Sequence, residues 1–194
     1  GFNPIIFGLV LGFAWQVLVM FGLHWAIVPF AIIALAKGEP TALLIAASVA
    51  SFAQTGAVGA VMLKTKDKSL KTVSASAMIS AAVCGITEPA IYGCNLRLKR
   101  PMIAAIICGT IGGAIMGAGG VYGDAFANNG VLTLATYAAF GMKKFIFYLI
   151  GIGVSFFGAA ILTYLIGFED VISTEKENKN IRINFRYYFY LIIF

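Results

Sequence analysis

A carboxylate set between two apolar runs is the group in this sequence best placed to do chemistry. Glu88 lies in "CGITEPAIYGCNLRLKRP", fenced by Gly85 and Pro89. Proline lacks an N–H and disfavours helix at the residue before it, so the acid is expected where the chain unwinds. Unwound backbone frees N–H and C=O groups beside the carboxylate. Thr87 next to it and Asn95 seven residues on extend a mixed donor and acceptor surface. Such a surface suits a polyhydroxylated ligand, because a carboxylate accepts from hydroxyls and an amide reads what remains. The competing reading is structural: Glu88 pairs with Arg97 or Lys99 near an interface and fixes a loop.

Two further residues divide in the same way. His24, the sole histidine, is either a satisfied or interfacial residue beside Trp25 or a hydrogen-bonding proton carrier at a site. Gln54 is either a ligand group or an amide that glues helices together. Asp124, in "YGDAFANNG", reads as a solvated turn residue, and Asn129-Gly130 reads as a hairpin turn. Cys84, Cys94 and Cys108 show no metal-ligand spacing and sit in apolar runs, so they read as inert buried thiols. Neither a Walker loop, a nucleophile elbow, a dinucleotide fingerprint nor a metal cluster is visible, and no cofactor or metal is expected.

The elements that must position these groups are membrane spans. Only 11% of the 194 residues are charged and 60% are hydrophobic, with a mean hydropathy of +0.92; soluble domains carry about 25% charged residues. Charge-free stretches run over 1–36, 40–63, 101–123 and 145–168, each near or above the roughly 20 residues a helix needs to cross a bilayer. The net charge of +6 is clustered beside apolar runs, at Lys64, Lys66, Lys68 and Lys71 and at Arg97, Lys99 and Arg100. That pattern follows the positive-inside rule and speaks against nucleic acid as a partner.

The pattern predicts an all-α, polytopic integral membrane protein with re-entrant, broken helical hairpins. Asn3 to Phe21 reads as a span with Gly8 and Gly12 on a close-packing face. Gly22, His24 and Pro29 are expected to break or bend the apolar run beyond Phe21. Residues 41–63, rich in Ala, Ser and Gly around Gln54, and residues 72–96 read as two interrupted hairpin-like segments flanking a cytoplasmic 64–71 loop. Residues 101–122 form a span whose Gly109, Gly112, Gly113 and Gly117 admit a neighbouring backbone. Residues 145–168 form the last span, and 171–194 form an atypical, unassigned tail. The chain enters an apolar segment at Gly1 without a Met or a signal-peptide pattern, so a partial, truncated or disrupted protein is expected.

"GITEPAIYGCNLRLKRP" resembles the signature of the membrane-embedded EIIC domain of bacterial sugar phosphotransferase carriers, glucose superfamily. "NPIIFGLVLGFAWQVLVMFGLHWAIVPF" is similar to the upstream segment in its β-glucoside, sucrose and trehalose branch. The resemblance covers 1–170, the C-terminal part of such a domain, with Arg97 standing where the family usually has proline. It implies a sugar-translocating subunit of the bacterial plasma membrane, with Glu88 and His24 on the sugar and both placed to help draw a proton from its hydroxyl. It also implies EIIB and EIIA partners, a lipid bilayer and a homodimer. The phosphoryl-accepting IIA and IIB domains themselves are not expected within these residues, so the chain is a component of a sugar phosphotransferase rather than a complete enzyme. Two alternatives stand beside this: an ion-coupled secondary transporter or polar pore, and an inactive carrier fragment.

Overall fold

The computed structural model describes residues 3–123 and 129–170 and shows an all-α protein, with no strand among the described residues. Asn3 starts the first helix, α1 (Pro4–Met20), by accepting the N–H of Ile5, while Pro4 occupies the first turn, where its missing N–H is harmless. The chain turns at Gly22 (φ +71°) and continues as α2 (His24–Ala36). Gly22 is therefore the expected break, whereas Pro29 sits inside α2. Three helices are long and apolar enough to cross a membrane: α3 (Leu43–Lys64), α7 (Arg100–Ala118) and α8 (Met142–Ile166). Between α3 and α7 lie α4 (Lys68–Cys84), the short α5 (Glu88–Ala90), a π turn (Ile91–Asn95) and the short α6 (Leu96–Leu98).

The first of the two interrupted segments expected from the sequence is not interrupted. α3 is a continuous helix of 22 residues and the most buried of the long helices. Its Ala, Ser and Gly content reflects crowding, not breakage. Small side chains let α1, α4, α7 and α8 all close on it, and its hydroxyls are satisfied along the helix: Ser48 donates to Leu44 and Thr55 to Ser51. Gln54 ties it sideways. Its Nε2 donates to Gln16 Oε1 (2.9 Å), Gln16 Nε2 donates to the Ala105 carbonyl (3.0 Å), and Asn95 Nδ2 donates to Gln54 Oε1 (2.8 Å). One chain of amides thus joins α1, α3, α7 and the π turn in the interior.

The glycines expected to admit a neighbour do so to one another. A methyl on Gly12 would stand 2.8 Å from the Gly109 carbonyl, and methyls on Gly8 and Gly113 would each collide with the other's backbone. α1 and α7 therefore meet backbone to backbone along the seam, closer than any larger residue allows.

The second interrupted segment is a true reversal. α4 ends at Gly85 in the left-handed region (φ +68°), and the N–H groups of Gly85 and Ile86 return to the Ala81 and Ser80 carbonyls. The chain then retraces α4: Ser74 reaches Cys94 (3.3 Å), and Leu70 and Leu98 share one apolar cluster. The limbs of this hairpin begin and end beside Lys64, Lys66 and Arg100. There Lys64 donates to the Tyr164 carbonyl, Arg100 to the Ile166 carbonyl, and Asp170 accepts from the Lys66 N–H and the Thr65 hydroxyl. The two basic clusters of the sequence consequently share one end of the molecule.

Two smaller expectations are corrected. Cys84 is exposed, while Cys94 and Cys108 are buried. Asn129-Gly130 does not close a hairpin of strands but leads into a 3-10 helix, Val131–Phe140. Asp124 and the 171–194 tail lie outside the described residues. The amide chain yields a stability prediction. Gln54→Leu strands Gln16 Oε1 in the interior, at about 1–3 kcal/mol for the unsatisfied group, and leaves Asn95 Nδ2 with the residue 54 carbonyl as its remaining acceptor. The purified chain should melt at a visibly lower temperature; an unchanged melting temperature would remove the amide chain as a stabilising element.

A cavity at the hairpin tip

The tip of the reversal opens into a cavity of about 420 Å³, within the range of small-molecule sites. Gly85, Ile86, Thr87, Glu88 and Pro89 form one wall. Each is there for a local reason. Gly85 supplies the left-handed turn, and Pro89 falls in the first turn of the returning limb, where no N–H is needed. The unwound residues are 85–87, and Glu88 is not among them as expected but opens α5, with Pro89 tolerated in that first turn; its side chain is 41% exposed.

His24 faces it across the cavity. It opens α2 and is enclosed by Trp15 (ring centroids 6.1 Å apart) and Trp25 (5.4 Å). His24 Nε2 lies 3.8 Å from Glu88 Oε1, which is too far for a direct hydrogen bond and close enough for one oxygen to bridge. The other ring nitrogen, Nδ1, is buried without a partner. The pairing of Glu88 with Arg97 or Lys99 does not occur among the described residues; the titratable side chain beside it is His24.

The five candidate residues divide accordingly. Glu88, His24 and Thr87 line the cavity together. Gln54 and Asn95 do not; both are buried in the amide chain, and Asn95 Oδ1 has no partner there. The floor comes from α3 through Leu43, Leu44, Ala47, Ala50 and Ser51, and apolar groups from α1 and α2 close the side. Asn129 also lines it. Its sequence signal, Asn before Gly, is legible only as a turn. Its place beside Glu88 depends on α7 carrying the chain back past the hairpin tip.

The cavity thus offers a carboxylate, an imidazole, a threonine, an amide and two indole walls, a constellation suited to holding hydroxyl groups against an apolar face. It holds no cluster of acids, histidines or cysteines able to bind a metal among the described residues.

Comparison with known proteins gives the family. Residues 1–109 match the family model "Phosphotransferase system, EIIC". The chain is 43% identical over 159 residues to the PTS system β-glucoside-specific EIIBCA component of Halalkalibacterium halodurans, an alignment covering 82% of this chain and 24% of that protein. It is 38% identical over 165 residues to the Bacillus subtilis β-glucoside-specific EIIBCA component, covering 85% and 27%. It is 33% identical over 164 residues to the arbutin-, cellobiose-, and salicin-specific EIIBC component of Escherichia coli K12, covering 84% and 34%. The chain therefore spans about a quarter to a third of the length of these curated relatives. No solved structure matches it. With both the Gly-Ile-Thr-Glu-Pro reversal and the His-Trp element in place, the chain belongs to the EIIC family of the phosphotransferase system.

Proposed function

We propose that this chain supplies the sugar-binding wall of a phosphotransferase carrier for β-glucosides or sucrose, with Glu88 and His24 holding one sugar hydroxyl between them. The 3.8 Å separation of His24 Nε2 and Glu88 Oε1 carries the reading. A hydroxyl placed there donates to the carboxylate and accepts from the imidazole N–H. Glu88, which accepts that hydroxyl's hydrogen bond, stands ready to take up its proton when a phosphoryl group arrives, while the imidazole N–H holds the oxygen in place. Thr87 adds a hydroxyl at the same wall, and Trp15 and Trp25 give the apolar faces of the ring a surface. The phosphoryl group would come from EIIB and EIIA regions, to which the relatives' names point. The expected homodimer belongs to the same proposal and rests on the resemblance alone.

The carboxylate is the decisive group. Glu88→Gln keeps the shape and removes charge-assisted hydrogen bonds of about 1.5–3 kcal/mol each. Affinity for salicin, arbutin or sucrose, measured by calorimetric titration of the chain in lipid nanodiscs, should fall by about tenfold or more. His24→Ala should weaken binding by less. Binding that Glu88→Gln leaves intact would make the acid structural, and no saturable binding of these sugars by the native chain would overturn the proposal. An ion-coupled transporter would instead show uptake following an ion gradient, not a phosphoryl donor.

The orientation follows from charge. Lys64, Lys66, Lys68, Lys71, Arg97, Lys99 and Arg100 gather at the base of the hairpin, and the positive-inside rule makes that end cytoplasmic in the plasma membrane. The exposed apolar side chains of α1, α2 and α8, Phe13, Phe30 and Phe157 among them, then face lipid. With the three native cysteines replaced, Lys66→Cys should resist an impermeant maleimide added outside intact cells; ready labelling would invert the topology.

A further inference from the structure

We propose that Asn129 is the hydrogen-bond donor of the sugar cavity, set opposite the Glu88 acceptor, and that it decides which sugar hydroxyls the site accepts. The inference rests on the reading of the cavity as a sugar site and adds a residue that no sequence motif marked.

Three observations carry it. Asn129 lines the same cavity as Glu88, Thr87 and His24, although it is only 6% exposed. Its amide is held from behind: Asn129 Oδ1 accepts from the Tyr137 hydroxyl (2.8 Å) and lies 2.9 Å from the Ser48 hydroxyl, whose hydrogen it shares with the Leu44 carbonyl. With the oxygen engaged there, the Nδ2 hydrogens are the part of the amide left for the cavity. A ligand oxygen entering the cavity is the natural acceptor for an amide donor that lines it.

The support is rigid on both sides. Ser48 belongs to the central helix α3, and Tyr137 stacks on Tyr148 of α8 with centroids 4.0 Å apart and planes within 11°. The backbone beside Asn129 is locked to the hairpin tip. A methyl on Gly130 would run into the Val83 carbonyl and stand 2.8 Å from the Gly85 nitrogen. The loop carrying Asn129 and the break before Glu88 therefore touch backbone to backbone, which fixes the donor relative to the acceptor. A hydroxyl donates to Glu88; another hydroxyl or ring oxygen accepts from Asn129. Two such fixed contacts of opposite sense distinguish sugars that differ at one carbon, because a misplaced hydroxyl leaves a buried donor or acceptor unpaired.

Asn129→Asp separates this role from a structural one. The aspartate still accepts from Ser48 and Tyr137, so the support survives, but the group facing the cavity turns from donor to acceptor. Titrating methyl β-glucoside and its monodeoxy analogues into the chain in nanodiscs should show affinity for the parent sugar down by about tenfold. One deoxy analogue, already weak on the native chain, should lose nothing further. Asn129→Ala, which removes the donor without adding charge, should show the same selectivity. Glu88→Gln is run beside them. Loss with Glu88→Gln and none with the Asn129 variants would leave the sugar site standing and overturn the role of Asn129. No loss with either residue would overturn both readings. An equal loss for the parent and every deoxy analogue would make Asn129 a fold residue, and the inference fails.

Discussion

A polypeptide that carries a carboxylate into a bilayer must still satisfy every backbone N–H and C=O beside it, because hydrocarbon offers no water to do so. The reversal at Gly85 meets that constraint with the chain's own atoms. Gly85 and Ile86 return their N–H groups to Ala81 and Ser80, and Ile91 returns its own to Thr87. The turn is therefore closed on both sides of Glu88 by bonds within the chain. Had residue 85 been anything bulkier than glycine, this left-handed conformation would be strained. The cavity, the approach of His24 and the backbone contact with Gly130 all follow from this one change of direction.

Around the reversal, the fold trades side-chain bulk for proximity. α3 stays helical through a stretch that looks soft because its small residues are where other helices touch it. Its polar groups are satisfied within the helix or by the Gln16–Gln54–Asn95 chain. That chain also explains the π turn at Ile91–Asn95. The extra residue in the turn accompanies an Asn95 whose amide reaches both the backbone and the side chain of Gln54.

Legibility in the sequence tracks the range of the responsible interaction. The Gly-Ile-Thr-Glu-Pro break, the Gly22 turn and the glycine faces of α1 and α7 are local signals, and each appears where its residues stand. The continuity of α3 is illegible because composition alone cannot tell a helix crowded by neighbours from one that breaks; both are rich in Ala, Ser and Gly. Gln54 and Asn95 carry the same amide whether they bind a ligand or each other, and only their partners, 41 residues apart in sequence, separate the two. Asn129 is invisible for the same reason: its neighbours at the hairpin tip lie more than 40 residues upstream.

The seam between α1 and α7 has a mechanical consequence. Where helices meet through long side chains, rotamer changes absorb small displacements and the pair can slide. Here backbone lies on backbone at Gly8, Gly12, Gly109, Gly113 and Gly117, with no flexible layer between. Any sideways displacement drives main-chain atoms into one another, so the two helices travel as a single rigid body. α2 is bound differently, through side chains such as Val28 and Ala31, and leaves Trp25 and Phe30 largely uncovered. A shear between these elements would find its compliant surface at α2, the element that bears His24, while α1 and α7 form the stiff frame beside it.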